Sequence, residues 1–145
     1  FFNPATIMKL TEVVPCEYSD TKILADLKVF LEQTKKIVAI CQDSPGFIVN
    51  RLARNYYGEA LRIANQDTTE KFTEIDQVMK QVGGFKMGPF ELMDLIGVDV
   101  NLTVTESVWH AYALHPRFAP HPLQRKLVNA SRLGKKSGKG FYAYD

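Results

Sequence analysis

The sequence predicts a mainly α-helical domain that follows the end of an α/β domain. Residues 1–42 show strand and helix patterns in alternation, whereas residues 43–145 carry apolar side chains at helical spacing almost throughout. The change of pattern near residue 42 is the domain boundary that we predict. A chain of 145 residues has room for one domain and part of a second.

The first region predicts the order strand, strand, helix, strand. The run FFNPATIMKLTEVV is apolar, and its second half, MKLTEVV, alternates in the way that is typical of a strand. The helix follows in SDTKILADLKVFLEQTKK, with Ser19 or Asp20 as its N-cap. IVAIC is a continuous apolar run, which is typical of a strand buried on both faces. Three strands and one helix cannot cover their own apolar faces, so we expect this region to end a larger sheet.

The second region predicts five helices. The first begins in DSPGFIVNR, where Ser44 is the expected N-cap and Pro45 the first helical residue, a position at which a missing N–H costs nothing. The other four lie in TEIDQVMKQVGG, GPFELMDLIG, DVNLTVTESVWHAYALHP and PLQRKLVNASRLG. Gly or Pro stands at several of their ends, which is typical of helix termini.

Composition and charge exclude several classes of function. The net charge is +2 and the basic residues are spread among acids, so we expect no nucleic-acid partner. No apolar stretch approaches the roughly 20 residues that span a bilayer. Cys16 and Cys41 are too few for a disulfide framework, which favours a reducing compartment, and we predict a cytoplasmic location. The three histidines lack zinc-site spacing, so we predict no metal.

Three features could carry chemistry. Glu12 lies on an apolar strand face, where a carboxylate is costly unless it is paired, although periodicity alone favours a Glu turned to solvent. Asn50 interrupts an apolar run at a strand-to-helix junction, where α/β proteins often bind ligands, but it could equally bond to local backbone. The loop GKKSGKGFY could bind an anion or could be a solvated turn.

Four segments together are more specific than any of these patterns. FFNPATIMKLTEVV, DSPGFIVNR, GGFKMGPFELMDLIGVD and GKKSGKGFYAY occur in an order and at separations that resemble the L-3-hydroxyacyl-CoA dehydrogenase family, from Phe1 to Asp145. The resemblance implies the end of a Rossmann NAD-binding domain at 1–42. It implies a helical domain of the 6-phosphogluconate-dehydrogenase-like type at 43–145.

The same resemblance implies an activity and a set of site residues. The family oxidises (3S)-3-hydroxyacyl-CoA to 3-oxoacyl-CoA with NAD, and its first motif reads His-Phe-Phe-Asn-Pro, with the His as catalytic base. Glu12 matches the carboxylate that pairs with this His, and this match replaces the solvent-facing interpretation. Asn50 matches the residue that hydrogen-bonds the substrate's 3-oxygen. Lys136 matches a residue that reaches the dinucleotide, and Asn3 is a second candidate for cofactor contact.

The base itself would stand immediately before Phe1, and no GxGxxG phosphate loop occurs in these residues. We therefore expect the chain alone to be an inactive fragment of a dehydrogenase. Two alternatives are a non-catalytic helical dimerisation module and the end of a multifunctional hydratase/dehydrogenase.

We also expect a homodimer through the helical domain. The segments 45–65 and 98–114 have wide apolar stripes, and a domain of roughly 100 residues cannot bury every such stripe. The aromatic residues of these stripes are Tyr56, Tyr57, Trp109 and Tyr112. The competing possibility is that the intrachain bundle buries them all.

Overall fold

The computed structural model describes residues 1–2, 4–65 and 68–144. The chain forms two compact units, Phe1–Val49 and Asn50–Asp145. In the described residues no helix combines the length and the apolar character that crossing a membrane requires.

The first unit is a β-α-β arrangement. Strand β1 (Leu10–Val13) pairs in parallel with β2 (Ile37–Ile40), and helix α1 (Thr21–Gln33) connects them. Asp20 caps α1, since its Oδ1 accepts hydrogen bonds from the N–H groups of Lys22 at 2.7 Å and Ile23 at 3.1 Å. Of the two N-caps that the sequence allows, Asp20 is therefore the one used.

Two predictions for this unit are wrong. Only two strands form in its described residues, because residues after Pro4 make a turn in which the N–H groups of Ile7 and Met8 donate to the Pro4 carbonyl. Strand β2 is not buried on both faces, and Ile37 and Ile40 are largely exposed. The reason is that two strands and one helix leave much of the sheet uncovered.

The second unit is helical. Its helices are α2 (Val49–Ala64), α3 (Thr69–Gln81), α4 (Pro89–Ile96), α5 (Val98–Ala111) and α6 (Pro122–Asn129). Pro89 opens α4 and Gly97 follows it, as predicted, and the φ of Gly97 is +105°, a conformation that glycine adopts readily. Short 3-10 turns occur at Pro116–Phe118 and Lys135–Ser137.

The core of this unit joins all five helices to the C-terminal segment. The rings of Phe72, Phe90 and Phe141 meet with centroids 4.5 to 5.2 Å apart, so α3, α4 and the last residues of the chain share one aromatic cluster. Other fully buried apolar residues surround it: Tyr57, Ala60, Leu61, Ala64, Met93, Val98 and Leu127.

The predicted start of α2 is also wrong. The helix begins at Val49, not at Pro45, because Gly46 and Phe47 have φ values of +75° and +45° and a right-handed helix cannot pass through them. The Ser44 side chain lies 3.5 Å from the Gln42 carbonyl and caps no helix.

Candidate active site

Glu12 is the functional candidate whose surroundings are best defined. It lies on β1 opposite Ala39, half-buried, and its Oε1 accepts hydrogen bonds from the backbone N–H groups of Ile48 and Val49, each at 2.9 Å. The carboxylate is thus a hydrogen-bonded group and not an unpaired surface charge. In the part of the chain that the structure describes, no hydrogen bond reaches its second oxygen, Oε2.

The start of α2 explains these contacts. The first N–H groups of a helix have no partner within the helix and carry partial positive charge. Helix α2 has no acidic residue in its first turn. Glu12 lies 37 positions before Val49 and supplies the missing acceptor, so this carboxylate on β1 acts as an N-cap.

Asn50 follows as the second residue of α2. It is half-buried, and its carbonyl oxygen accepts a hydrogen bond from Arg54 Nε at 3.1 Å. The described residues make no hydrogen bond to its side-chain amide. The prediction of a local backbone bond by this amide finds no support among them, which leaves the amide available for a ligand.

Arg54 fixes the helix that carries Asn50. It is 5% exposed, and its Nη1 donates to the Asn101 carbonyl and to Thr105 Oγ1, both at 2.9 Å. Its guanidinium also lies over the ring of Tyr57, 5.0 Å from the centroid. Burial lowers the pKa of Arg54. Arg54 thereby ties α2 to α5, a contact that the sequence analysis did not anticipate.

Lys136 is held by an acidic partner. Its Nζ lies 2.6 Å from Oδ1 and 2.7 Å from Oδ2 of Asp99, in the first turn of α5. This hydrogen bond lowers the pKa of the Asp99 carboxyl. The structure therefore pairs Lys136 with Asp99. The remaining candidate, Asn3, lies outside the described residues.

Two buried carboxylates hold the backbone of the motifs GPFELMDLIG and GKKSGKGFYAY in place. Asp76 on α3 accepts from the N–H groups of Phe90 and Glu91 and from the Tyr142 hydroxyl, at 2.8 to 3.0 Å. Its exposed fraction is 1%, and burial raises its pKa although these donors oppose the shift. Asp76 thus caps α4 from a neighbouring helix.

Asp94 on α4 binds the C-terminal segment of the chain in a similar way. It accepts from the N–H groups of Phe141 and Tyr142 and from the Tyr144 hydroxyl, at 2.9 to 3.0 Å. Burial raises its pKa too. Two amides that could have served an anion after the GKKSGKG loop are therefore used internally. The feature of the sequence that could have indicated this role is the position of Asp94 among the apolar residues of its helix.

A resident metal has no visible ligand set here. Within the described ranges, no group of three histidine, cysteine or acidic side chains is arranged to hold an ion.

Comparison of the chain with known proteins identifies its family. Residues 46–144 match the family model for the 3-hydroxyacyl-CoA dehydrogenase C-terminal domain, and residues 1–44 match that for the NAD binding domain of 3-hydroxyacyl-CoA dehydrogenase. The chain therefore belongs to the 3-hydroxyacyl-CoA dehydrogenase family. NAD is the cofactor of the domain to which its first 44 residues belong.

Individual relatives agree with this assignment. The chain is 42% identical over 145 residues to the mitochondrial hydroxyacyl-coenzyme A dehydrogenase of Sus scrofa, covering 99% of this chain and 46% of that protein. It is 45% identical over 142 residues to the 3-hydroxyadipyl-CoA dehydrogenase of Escherichia coli, covering 98% of this chain and 30% of the relative. The chain thus spans half or less of these proteins.

The fold agrees as well. A crystal structure of the 3-hydroxybutyryl-CoA dehydrogenase from Escherichia coli superposes with a TM-score of 0.92 at 45% identity, over 99% of this chain and 30% of the other. The predicted fold class, a helical domain of this family preceded by the end of its NAD-binding domain, is confirmed.

Proposed function

We propose that this chain supplies the C-terminal part of an NAD-dependent dehydrogenase that converts (3S)-3-hydroxyacyl-CoA to 3-oxoacyl-CoA. The observation that carries the proposal is Glu12, a half-buried carboxylate that is anchored through one oxygen and has no described partner at the other. Such a group is suited to orient a histidine base and to stabilise the imidazolium that forms when the base takes a proton. The family membership supplies the reaction class.

Each candidate residue has a role in this proposal. The histidine that the family motif places before Phe1 would remove the proton of the 3-hydroxyl, and Glu12 would hold that imidazole in the required tautomer. The Asn50 amide would donate a hydrogen bond to the 3-oxygen, whose negative charge grows during proton loss. When bound, NAD would take the hydride from C3.

Cofactor contact is the next part of the proposal. The parallel β1–β2 pair fits the edge of a dinucleotide-binding sheet, but the glycine-rich phosphate loop is not among these residues. We propose Lys136 and Asn3 as cofactor contacts. Since Asp99 already binds Lys136, the lysine would have to serve both partners at once.

A turnover assay tests the proposal. Acetoacetyl-CoA and NADH would be given to the 145-residue chain and to the full-length protein that carries it. We expect turnover only in the full-length protein, since the loss of a general base alone costs roughly 10² to 10⁴-fold. Turnover by the short chain near the full-length rate would show that its missing groups are not needed. Absence of turnover in a folded full-length protein would reject the reaction itself.

A second candidate function is a helical dimerisation module. It is favoured by exposed apolar side chains on the second unit: Leu52, Ile63, Val78, Val82, Leu95 and Val100. Calorimetry of the chain with NADH and an acyl-CoA separates the two functions, because a pure dimerisation module binds neither. We also propose a cytoplasmic location, because two cysteines in 145 residues are too few for the disulfide framework of a secreted domain.

A further inference from the structure

The two hydrogen bonds to Glu12 come from one short segment of backbone. Ile48 and Val49 are consecutive residues, and their N–H groups converge on the same oxygen, Oε1, at 2.9 Å each. Two donors restrain the position of this oxygen more firmly than one, because a single bond would leave it free to swing about that contact. They also leave Oε2 to another partner.

The backbone that presents these donors adopts an unusual conformation. Gly46 and Phe47 both have positive φ, at +75° and +45°, and the Phe47 N–H donates to the Ser44 carbonyl at 2.9 Å. A positive φ is uncommon for a phenylalanine and costs free energy. This turn directly precedes Ile48 and Val49, the two residues whose N–H groups donate to Glu12.

Charge acts in the same direction as geometry. The start of a helix favours a negative charge, and the first turn of α2 contains no acidic residue of its own. Glu12 is the carboxylate that occupies this position. The charge of the carboxylate and the two hydrogen bonds therefore hold Glu12 at the start of the helix.

We infer that Ile48 and Val49 are positioning residues for the dehydrogenase reaction, acting through their backbone N–H groups on Glu12. This inference rests on the proposed function of Glu12 as partner of the histidine base. The two amides hold Oε1, and Oε2 is the oxygen that would bind the imidazole of the histidine base. The side chains of residues 48 and 49 have no part in this role.

Val49→Pro in the full-length protein tests the inference. Val49 is the first residue of α2, a position where helices accept proline, so this change deletes one donor at little cost to the helix. Val49→Ala is the matched control, since it shortens the side chain and keeps the N–H. We expect Val49→Pro to lower kcat roughly tenfold relative to Val49→Ala, as expected for one lost hydrogen bond to a charged group.

Two readouts distinguish positioning from general damage. In Val49→Pro the acidic limb of the kcat/KM profile should move to lower pH, because a loosened Glu12 stabilises the imidazolium less. Glu12→Gln should move it further in the same direction. In a Glu12→Gln background, Val49→Pro and Val49→Ala should then be equal in kcat, because nothing remains to be positioned.

The outcomes separate this inference from the proposed function. If Glu12→Gln leaves kcat and the pH profile unchanged, the proposed role of Glu12 fails. If Glu12→Gln acts as expected but the loss caused by Val49→Pro is the same in both backgrounds, only the positioning inference fails.

Proline also restricts residue 48, and the variant could lose its fold. Hydrogen exchange of the Ile48 and Val49 amides in the wild type and in Glu12→Ala provides a second measurement. We expect both amides to exchange at least about tenfold faster without the carboxylate, since each loses its acceptor. Equal exchange rates in the two proteins would overturn the inference.

Discussion

Gly140 lies directly against the buried carboxylate of Asp94. A Cβ atom at position 140 would overlap Oδ1 of that side chain, while Oδ1 also accepts the N–H of Phe141. The close approach lets a carboxylate on α4 reach the backbone of the C-terminal segment. Gly140 is therefore required for space and not for backbone conformation.

Gly140→Ala should destabilise the second unit. The added methyl group must displace either Asp94 or the chain at 140, and overpacking of this kind typically costs about 1–3 kcal/mol. Gly58→Ala is the matched control, since a Cβ there meets only the flexible end of Arg62 within α2. That change should stabilise by about 0.5–1 kcal/mol, because alanine favours the helix. Urea unfolding followed by circular dichroism measures the stability of both variants. Equal unfolding midpoints for Gly140→Ala and Gly58→Ala would show that the residues around position 140 accommodate the methyl group without cost.

Asp94→Asn tests the hydrogen bonds themselves. An amide nitrogen in place of one carboxylate oxygen faces an N–H or hydroxyl donor and leaves it unsatisfied, which costs about 1–3 kcal/mol per group. We expect a loss of about 2–4 kcal/mol in the free energy of unfolding. Glu70→Gln, exposed on α3, is the control and should change it by about 0.5 kcal/mol or less. Similar losses in both variants would mean that the Asp94 contacts contribute little.

The elements whose signals are local could be predicted from the sequence. Pro89 and Gly97 mark the ends of α4, and the structure places the helix between them. Asp20 was one of two predicted caps for α1, and it makes the expected hydrogen bonds to nearby N–H groups. In both cases the determining residues lie within one or two turns of the feature.

The features that depend on distant residues could not be predicted. The start of α2 is set by the left-handed conformation of Phe47 and by Glu12, which is far away in the sequence. From the sequence alone, Asp76 and Asp94 cannot be distinguished from exposed acidic residues of a helix, because their hydrogen-bond donors belong to other segments. The role of Glu12 was reached through family resemblance, since periodicity alone favoured a solvent-facing side chain.

The pair of Lys136 and Asp99 should make stability depend on pH. The hydrogen bond from Lys136 lowers the pKa of Asp99 below its usual value of 3.8. A lowered folded-state pKa contributes stability above the unfolded value, and this contribution is lost as pH falls through the folded value. Lys136→Met should therefore lower the urea midpoint more at pH 7 than at pH 3. Lys139→Met, in the same loop, is the control, and an identical pH dependence in the two variants would contradict the role of the pair.

Asn50→Ala should reduce activity without reducing stability. Its side-chain amide has no hydrogen-bond partner among the described residues, so little is lost on folding. If the amide stabilises the 3-oxygen as proposed, kcat of the full-length protein should fall by about 10² to 10³-fold. Asn129→Ala, on the exposed end of α6, should leave kcat unchanged. A drop in melting temperature that accounts for the lost activity would assign Asn50 a structural role.

The last prediction is that the second unit forms a homodimer, although the surface differs from the one that its aromatic residues suggested. Tyr57 is buried in the core, and Tyr56 donates from its hydroxyl to the Met87 carbonyl, so these rings are largely consumed within the chain. On α2, Leu52 and Ile63 are instead exposed, and a separation of eleven residues, close to three turns, places them on one face.

The end of helix α3 presents a similar face, because Val78 and the C-cap residue Val82 are one turn apart and Val82 is 84% exposed. Exposed apolar side chains grouped on helix faces favour association, and a two-fold axis would let the same surface cover its copy. We expect sedimentation at micromolar concentration to show a dimer that dissociates on dilution. The double variants Leu52→Lys/Ile63→Lys and Val78→Lys/Val82→Lys identify the helix responsible, and whichever one carries the interface should sediment as a monomer with unchanged circular dichroism. Glu70→Lys, also on α3, controls for added positive charge. A wild-type chain that remains monomeric up to about 100 µM, the range in which weak association becomes visible, would reject the dimer.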